Sequence, residues 1–179
     1  MTMKRKILLW EVGGIIFIVV LGSLLHFAFE WSGGWTPIAP IAAVNESVWE
    51  HLKLGFWPAL AYAVLEYSRF GKSAGNFCFA KTLGIYLIPI TIVVLYYSYT
   101  SIMGHGLLIV DIVIFVEAVI VGQLVSYGLL VASPLPVRLN RFAPIALVVL
   151  GILFVLFTFH PPQLPIFRDS VTGAYGISG

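Results

Sequence analysis

Long apolar runs, broken at intervals by short clusters of charge, turn residues and proline, dominate the pattern of this chain. A helix needs about 20 mainly apolar residues to cross a hydrocarbon core about 30 Å thick, because it rises about 1.5 Å per residue. Five segments meet that requirement, at residues 7–29, 45–68, 82–103, 107–132 and 142–159. The pattern predicts an all-α fold: a polytopic transmembrane helix bundle of five spans, forming one domain over residues 1–179, with 160–179 an ordered tail. There is no internal repeat and no linker that would divide the chain. Pro58 and Pro89 fall inside the second and third segments and predict kinks, which neighbouring helices can accommodate in a membrane. Residues 33–44, with Pro37 and Pro40 among apolar side chains, are too few to span and too apolar for a solvated loop. They are expected at the interface or dipping back into it.

The basic residues orient this topology, since cytoplasmic loops are enriched in Lys and Arg. Lys4, Arg5 and Lys6 precede the first segment, Arg69, Lys72 and Lys81 lie between the second and third, and Arg138 and Arg141 lie between the fourth and fifth. Only Lys53 and Arg168 fall on the other side, which predicts a cytoplasmic N-terminus and an outer C-terminus. The first apolar stretch exceeds the about 7–15 residues of a signal-peptide core, contains Glu11, and is followed by no Ala-x-Ala-like site, so it reads as a retained span. Trp31, Trp35, Trp49 and Trp57 cluster at the outer boundary, where amphipathic rings favour the interface.

Composition narrows the class. Of 179 residues 60% are hydrophobic and 10% charged, with a mean hydropathy of +1.00, whereas a soluble domain carries about a quarter charged residues. The expected location is the cell membrane, multi-pass, with membrane lipids as surroundings and a homo-oligomer or larger membrane complex left open. A net charge of +2, scattered along the chain, excludes a nucleic-acid partner, which requires a basic face or stripe. Cys78 is the single cysteine, so an intramolecular disulfide and a Cys-x-x-Cys site are excluded.

Polar side chains collect on the outer side. His26, His51, His105 and His160 all fall there, accompanied by Glu30, Glu46, Glu50, Asp111 and Asp169. The stretch Asn45-Glu46-Ser47-Val48-Trp49-Glu50-His51-Leu52-Lys53 is unusually polar for the start of a span. Helix capping explains part of it: Asn45 or Ser47 as cap, Ser47-x-x-Glu50 as a capping box, and an i, i+3 pair between Glu50 and Lys53. It does not explain His51 together with two carboxylates. Imidazole and carboxylate converging from different helices can bind a divalent metal such as zinc, with one position left for water. The candidate ligands are His51, His160 and His26, with Glu50 and Glu46 as catalytic carboxylates.

In the tail, Pro161 and Pro162 stop the last helix, and Ile166 and Phe167 favour burial, so the tail is expected to fold over the outer face. Arg168 and Asp169 are either a surface turn or part of a lid over the cluster. Glu11 is expected to pair with Lys6 or another basic residue at the inner boundary. Glu117 falls about 15 Å into the fourth segment, near the bilayer midplane, where a carboxylate suggests a proton or cation site. Its alternative is a protonated side chain bonded to a neighbouring helix.

The segment from Val44 through Asn45-Glu46-Ser47-Val48-Trp49-Glu50-His51-Leu52-Lys53, with His160-Pro161-Pro162 through Phe167-Arg168-Asp169 to Tyr175-Gly176-Ile177, resembles a prokaryotic family of small, uncharacterised polytopic integral membrane proteins. The resemblance covers nearly the whole chain and implies several spans in a bacterial or archaeal membrane. It implies no activity.

Three functions fit these residues. One is a metal-dependent membrane enzyme acting on a lipid or amphiphile, with Glu50 as general base. Another is a transporter or ion-conducting protein using Glu117. The third is an accessory or scaffolding subunit of a membrane complex, whose polar outer residues hold its own tail and loops.

Overall fold

The computed structural model describes residues 2–177; Met1 and the last two positions of the expected tail, 178 and 179, lie outside the described residues. The hydroxyl of Thr2 accepts the N–H of Arg5 at 3.4 Å. This cap makes the basic residues 4–6 helical, so α1 (Met3–Trp31) begins before the apolar run does. Helix α2 (Val48–Phe70) begins three residues later than expected from residue 45, because the Ser47 hydroxyl accepts the Glu50 N–H and sets the first turn there.

Asn76 fixes the start of α3 (Phe77–Met103). Its amide donates to the carbonyls of Leu129 and Ser133, and its Oδ1 accepts the Leu135 N–H at 2.7 Å. One side chain thus ties α3 to the loop after α4 (Leu108–Leu130). Helix α5 (Val137–Phe159) starts behind Pro136, well ahead of residue 142, because its polar first turns are helical too. Asn140 uses that turn to accept the Phe79 N–H of α3 at 3.0 Å.

All five long elements are helices, and among the described residues there is no strand, only a bridge between Arg168 and Tyr175. Helices α1, α2, α3 and α4 pack each on the next, and α4 returns to α1, closing a four-helix bundle; α5 lies against α3 and touches α2. Ile18, Phe56, Ile88, Val119 and Phe154 are fully buried at its centre. Helices α3 and α4 approach closely. A Cβ on Gly84 would stand 2.7 Å from the Gly122 carbonyl oxygen, so glycine is required for this contact.

The outward surface is apolar. On α1, Leu8, Val12, Ile16, Val20, Leu24, Phe27 and Trp31 are exposed at spacings of four and three, one continuous stripe. Four helices, α1, α3, α4 and α5, are long and apolar enough to cross a membrane, a surface compatible with a membrane protein. Five such helices were expected, and α2 is the exception. It has the same 23 residues as α4 and α5 but carries Glu50, Lys53, Glu66 and Arg69. The first three of these are buried, which makes α2 the bundle's most polar and most enclosed helix.

Residues 33–44 fold back onto the bundle through a 3-10 turn at Thr36–Ile38. Ala39 and Ala42 are buried, and the Pro40 carbonyl accepts the Trp57 indole N–H at 2.9 Å. The tail packs on the N-terminal end of α2, where Phe167 sets its ring 4.8 Å from that of Trp49. It reverses at Gly173, with φ of 74°, and returns Gly176, whose carbonyl accepts the Asn45 amide at 2.8 Å.

Candidate metal centre

Helix α1 brings His26, α2 brings His51, and the segment before α2 brings Glu46 to a single point. His26 Nε2 and His51 Nε2 are 3.1 Å apart. Glu46 Oε2 lies 3.4 Å from His51 Nε2 and 3.7 Å from His26 Nε2. A tetrahedral ion with bonds of about 2.0–2.1 Å sets its ligand atoms about 3.3 Å apart. The three separations bracket that edge, and three ligands leave the fourth corner open.

Neighbouring groups hold two of the three ligands. The Nδ1 of His51 donates to the Ser47 carbonyl at 2.7 Å and so turns Nε2 toward Glu46 and His26, where it hydrogen-bonds Glu46 and would give up that proton to ligate a metal. Glu46 is held through its backbone, where its carbonyl accepts the Ser170 hydroxyl at 3.1 Å. The hydrogen bond with His51 holds the Glu46 carboxyl below the usual carboxylate range, against an opposing effect of burial. Glu46 is therefore an anion, the form that ligates. The Nδ1 of His26 is buried and without a protein partner.

The other residues singled out in the sequence go elsewhere. His160 is exposed at the end of α5 and stands outside this group, as does the exposed His105. Lys53 is fully buried and spends its three N–H donors on Glu50 Oε2 at 2.6 Å, the Ala39 carbonyl at 2.8 Å and the Thr158 hydroxyl at 2.8 Å. Glu50 also accepts the Val44 N–H at Oε2 and faces the Thr158 hydroxyl at Oε1, both at 3.1 Å. Every polar atom of that pair is engaged.

Asn45 spans the Ser47 N–H and the tail. Asp169 Oδ1 accepts the N–H groups of Val171 and Thr172, and Arg168 donates to the Gly173 carbonyl at 3.3 Å, so both shape the tail's own turn. Glu117 is exposed on the outward face of α4. It therefore lines no path through the interior of a single chain.

The model of the Family of unknown function (DUF6512) matches residues 1–177. The chain belongs to that family. No curated protein and no solved structure matches it.

A cavity of about 440 Å³ opens beside His26, Glu46 and His51. It runs between α1, α2, α3 and α4 along apolar side chains such as Val19, Leu54, Ile92 and Phe115, and Ser170 of the tail closes part of its rim. Asp111 is the further carboxylate on its wall. It accepts the hydroxyl proton of Tyr99, whose oxygen in turn accepts the Leu107 N–H at 2.9 Å. A wider groove of about 670 Å³ lies between α2 and α5, lined by Trp57, Leu60, Leu147 and other apolar residues, with no titratable side chain on its wall.

The sequence lists Asp111 among several outer carboxylates, and only folding puts it on the cavity wall. The basic partner expected for Glu11 at the inner boundary is Lys81, while sequence reasoning misses Glu66, which meets the same lysine inside the bundle. Their signal was a carboxylate near the end of one helix and a lysine near the start of the next, which a loop reading absorbs.

Proposed function

We propose that this protein spans the membrane five times, with the N-terminus inside and the C-terminus outside, and that its outer end is a metal-dependent hydrolytic site for an amphiphile. The reading rests on one observation above all: three ligand atoms at 3.1, 3.4 and 3.7 Å, carried by two helices and a loop that the tail clamps. Two histidines and one glutamate match the donor set of hydrolytic zinc centres, with the fourth position left for water or substrate. When bound, the metal supplies a Lewis acid and an activated water there.

The chain's own residues supply the rest. His51 is fixed by Ser47, Glu46 contributes a negative charge, and the apolar cavity next to them takes a hydrocarbon chain while its mouth holds the polar group. Asp111 is the carboxylate available for proton transfer on that wall. Glu50 is left to a structural role, since Lys53, Val44 and Thr158 occupy it. Helix α2 then crosses the bilayer packed among apolar helices, with its buried Glu50 and Lys53 paired to each other and its buried Glu66 facing Lys81.

The test is turnover of esters and phospholipids presented in mixed micelles, with the purified protein loaded with zinc or stripped by a chelator. The reading predicts metal-dependent product release that His51→Ala abolishes. Equal release by the stripped protein, or by His51→Ala, would contradict it.

A further inference from the structure

Glu11, Glu66 and Lys81 meet at the opposite end of the bundle from His26, fifteen residues back along α1 and so about 22 Å away. Each of four helices contributes. Lys81 of α3 lies 2.6 Å from Glu11 Oε1 of α1 and 2.5 Å from Glu66 Oε2 of α2, and Ser126 of α4 donates to the same Glu11 oxygen at 2.8 Å. All four side chains are buried, the two carboxylates at 2% and 1% exposure.

This cluster differs in kind from the Glu50–Lys53 pair. There, one carboxylate meets one ammonium and every atom is engaged. Here, two carboxylates share one ammonium, and Glu11 Oε2 and Glu66 Oε1 are buried with no partner. The neighbours do not supply one: Tyr62 donates its hydroxyl to the Trp10 carbonyl at 2.8 Å, and Gln123 donates to the Glu11 carbonyl at 3.3 Å. The titratable groups here are Glu11 on α1, Tyr62 and Glu66 on α2, and Lys81 on α3; α4 adds only the neutral Gln123 and Ser126. An unpaired charge sealed from water is so costly that the group neutralises instead.

We propose that Glu11 and Glu66 together bind one exchangeable proton, with Lys81 as the fixed counter-ion. With the proton the cluster is neutral; without it, one negative charge stands inside the four-helix junction. The site is independent of the metal centre and supplies the bundle with a proton-binding position that a transport or coupling role would use.

Infrared spectroscopy of the full chain in lipid vesicles reads this directly through the carbonyl stretch of protonated carboxyls. A Glu117→Gln background removes any contribution from that exposed side chain. At neutral pH the parent is expected to show one protonated carboxyl that both Glu66→Gln and Glu11→Gln remove, because either leaves one carboxylate against Lys81. Lys81→Met is expected to show two. Each variant is checked for native helix content and elution, and the two near-isosteric glutamine variants serve as each other's control. A band of equal area in the parent and both glutamine variants would overturn the proposal. So would loss of the same signal on adding sodium at fixed pH, which would make the site's ligand a metal cation.

Discussion

Lys53 Nζ and Glu50 Oε2 stand 2.6 Å apart at the junction of α2, α5 and the 33–44 segment, with both side chains shut off from solvent. Three N–H donors meet three acceptors there, one from each of those elements. Removing one partner leaves the other charged and buried, which costs about 3–5 kcal/mol. Lys53→Met is therefore expected to lower the thermal stability of the detergent-solubilised protein sharply, and adding Glu50→Gln to restore most of it. Single and double variants of equal stability would show that the pair does not hold these elements together.

The tail is coupled to the metal centre through Asn45. Its amide holds Gly176, and Ser170 holds the Glu46 backbone. Asn45→Ala is expected to free the tail to protease and, by loosening Glu46, to weaken metal affinity about tenfold, the scale of lost outer-shell support. Zinc titration of the variant against wild type reads the second effect.

The tail's turn also depends on acid. Burial alone would raise the Asp169 carboxyl, but the N–H groups of Val171 and Thr172 outweigh it and hold the group below its usual value. A depressed folded value stabilises the turn above the ordinary aspartate range of about 3.9, and this stabilisation is lost as pH falls through the lower folded value. Hydrogen exchange of the tail amides should accelerate between about pH 5 and about pH 3 beyond the intrinsic trend. In Asp169→Asn the tail should exchange fast at both.

The α3–α4 contact admits no side chain at Gly84, where a Cβ would press on the Gly122 carbonyl. Gly84→Leu should force the helices apart at a cost of about 1–3 kcal/mol, seen as a lower unfolding temperature. Gly128→Leu, where a Cβ would meet nothing within 4 Å, should leave that temperature unchanged.

Apolar length made the helices legible in the sequence, because each long element carries its own hydrophobic signal. Their ends were less so. Thr2 sets one boundary through a single hydrogen bond and Asn76 another through three, none of which periodicity registers, whereas Ser47 was legible as one of two possible caps. At the outer cluster, the residue types at positions 26, 46 and 51 were visible, but their partition was not. His160 looked equivalent to His26, and Glu50 to Glu46, until α5 carried His160 to the surface and Lys53 engaged Glu50. Lys81 looked like a loop residue because α3 starts five residues ahead of its apolar run, and so buries it against Glu11 and Glu66.

Elemental analysis of the detergent-purified protein after zinc repletion decides whether His26, Glu46 and His51 form a metal site. One equivalent of metal is expected in wild type and in His160→Ala, and none in His26→Ala or His51→Ala, with native helix content in all four. Metal-free wild type, or full occupancy in His51→Ala, would contradict it.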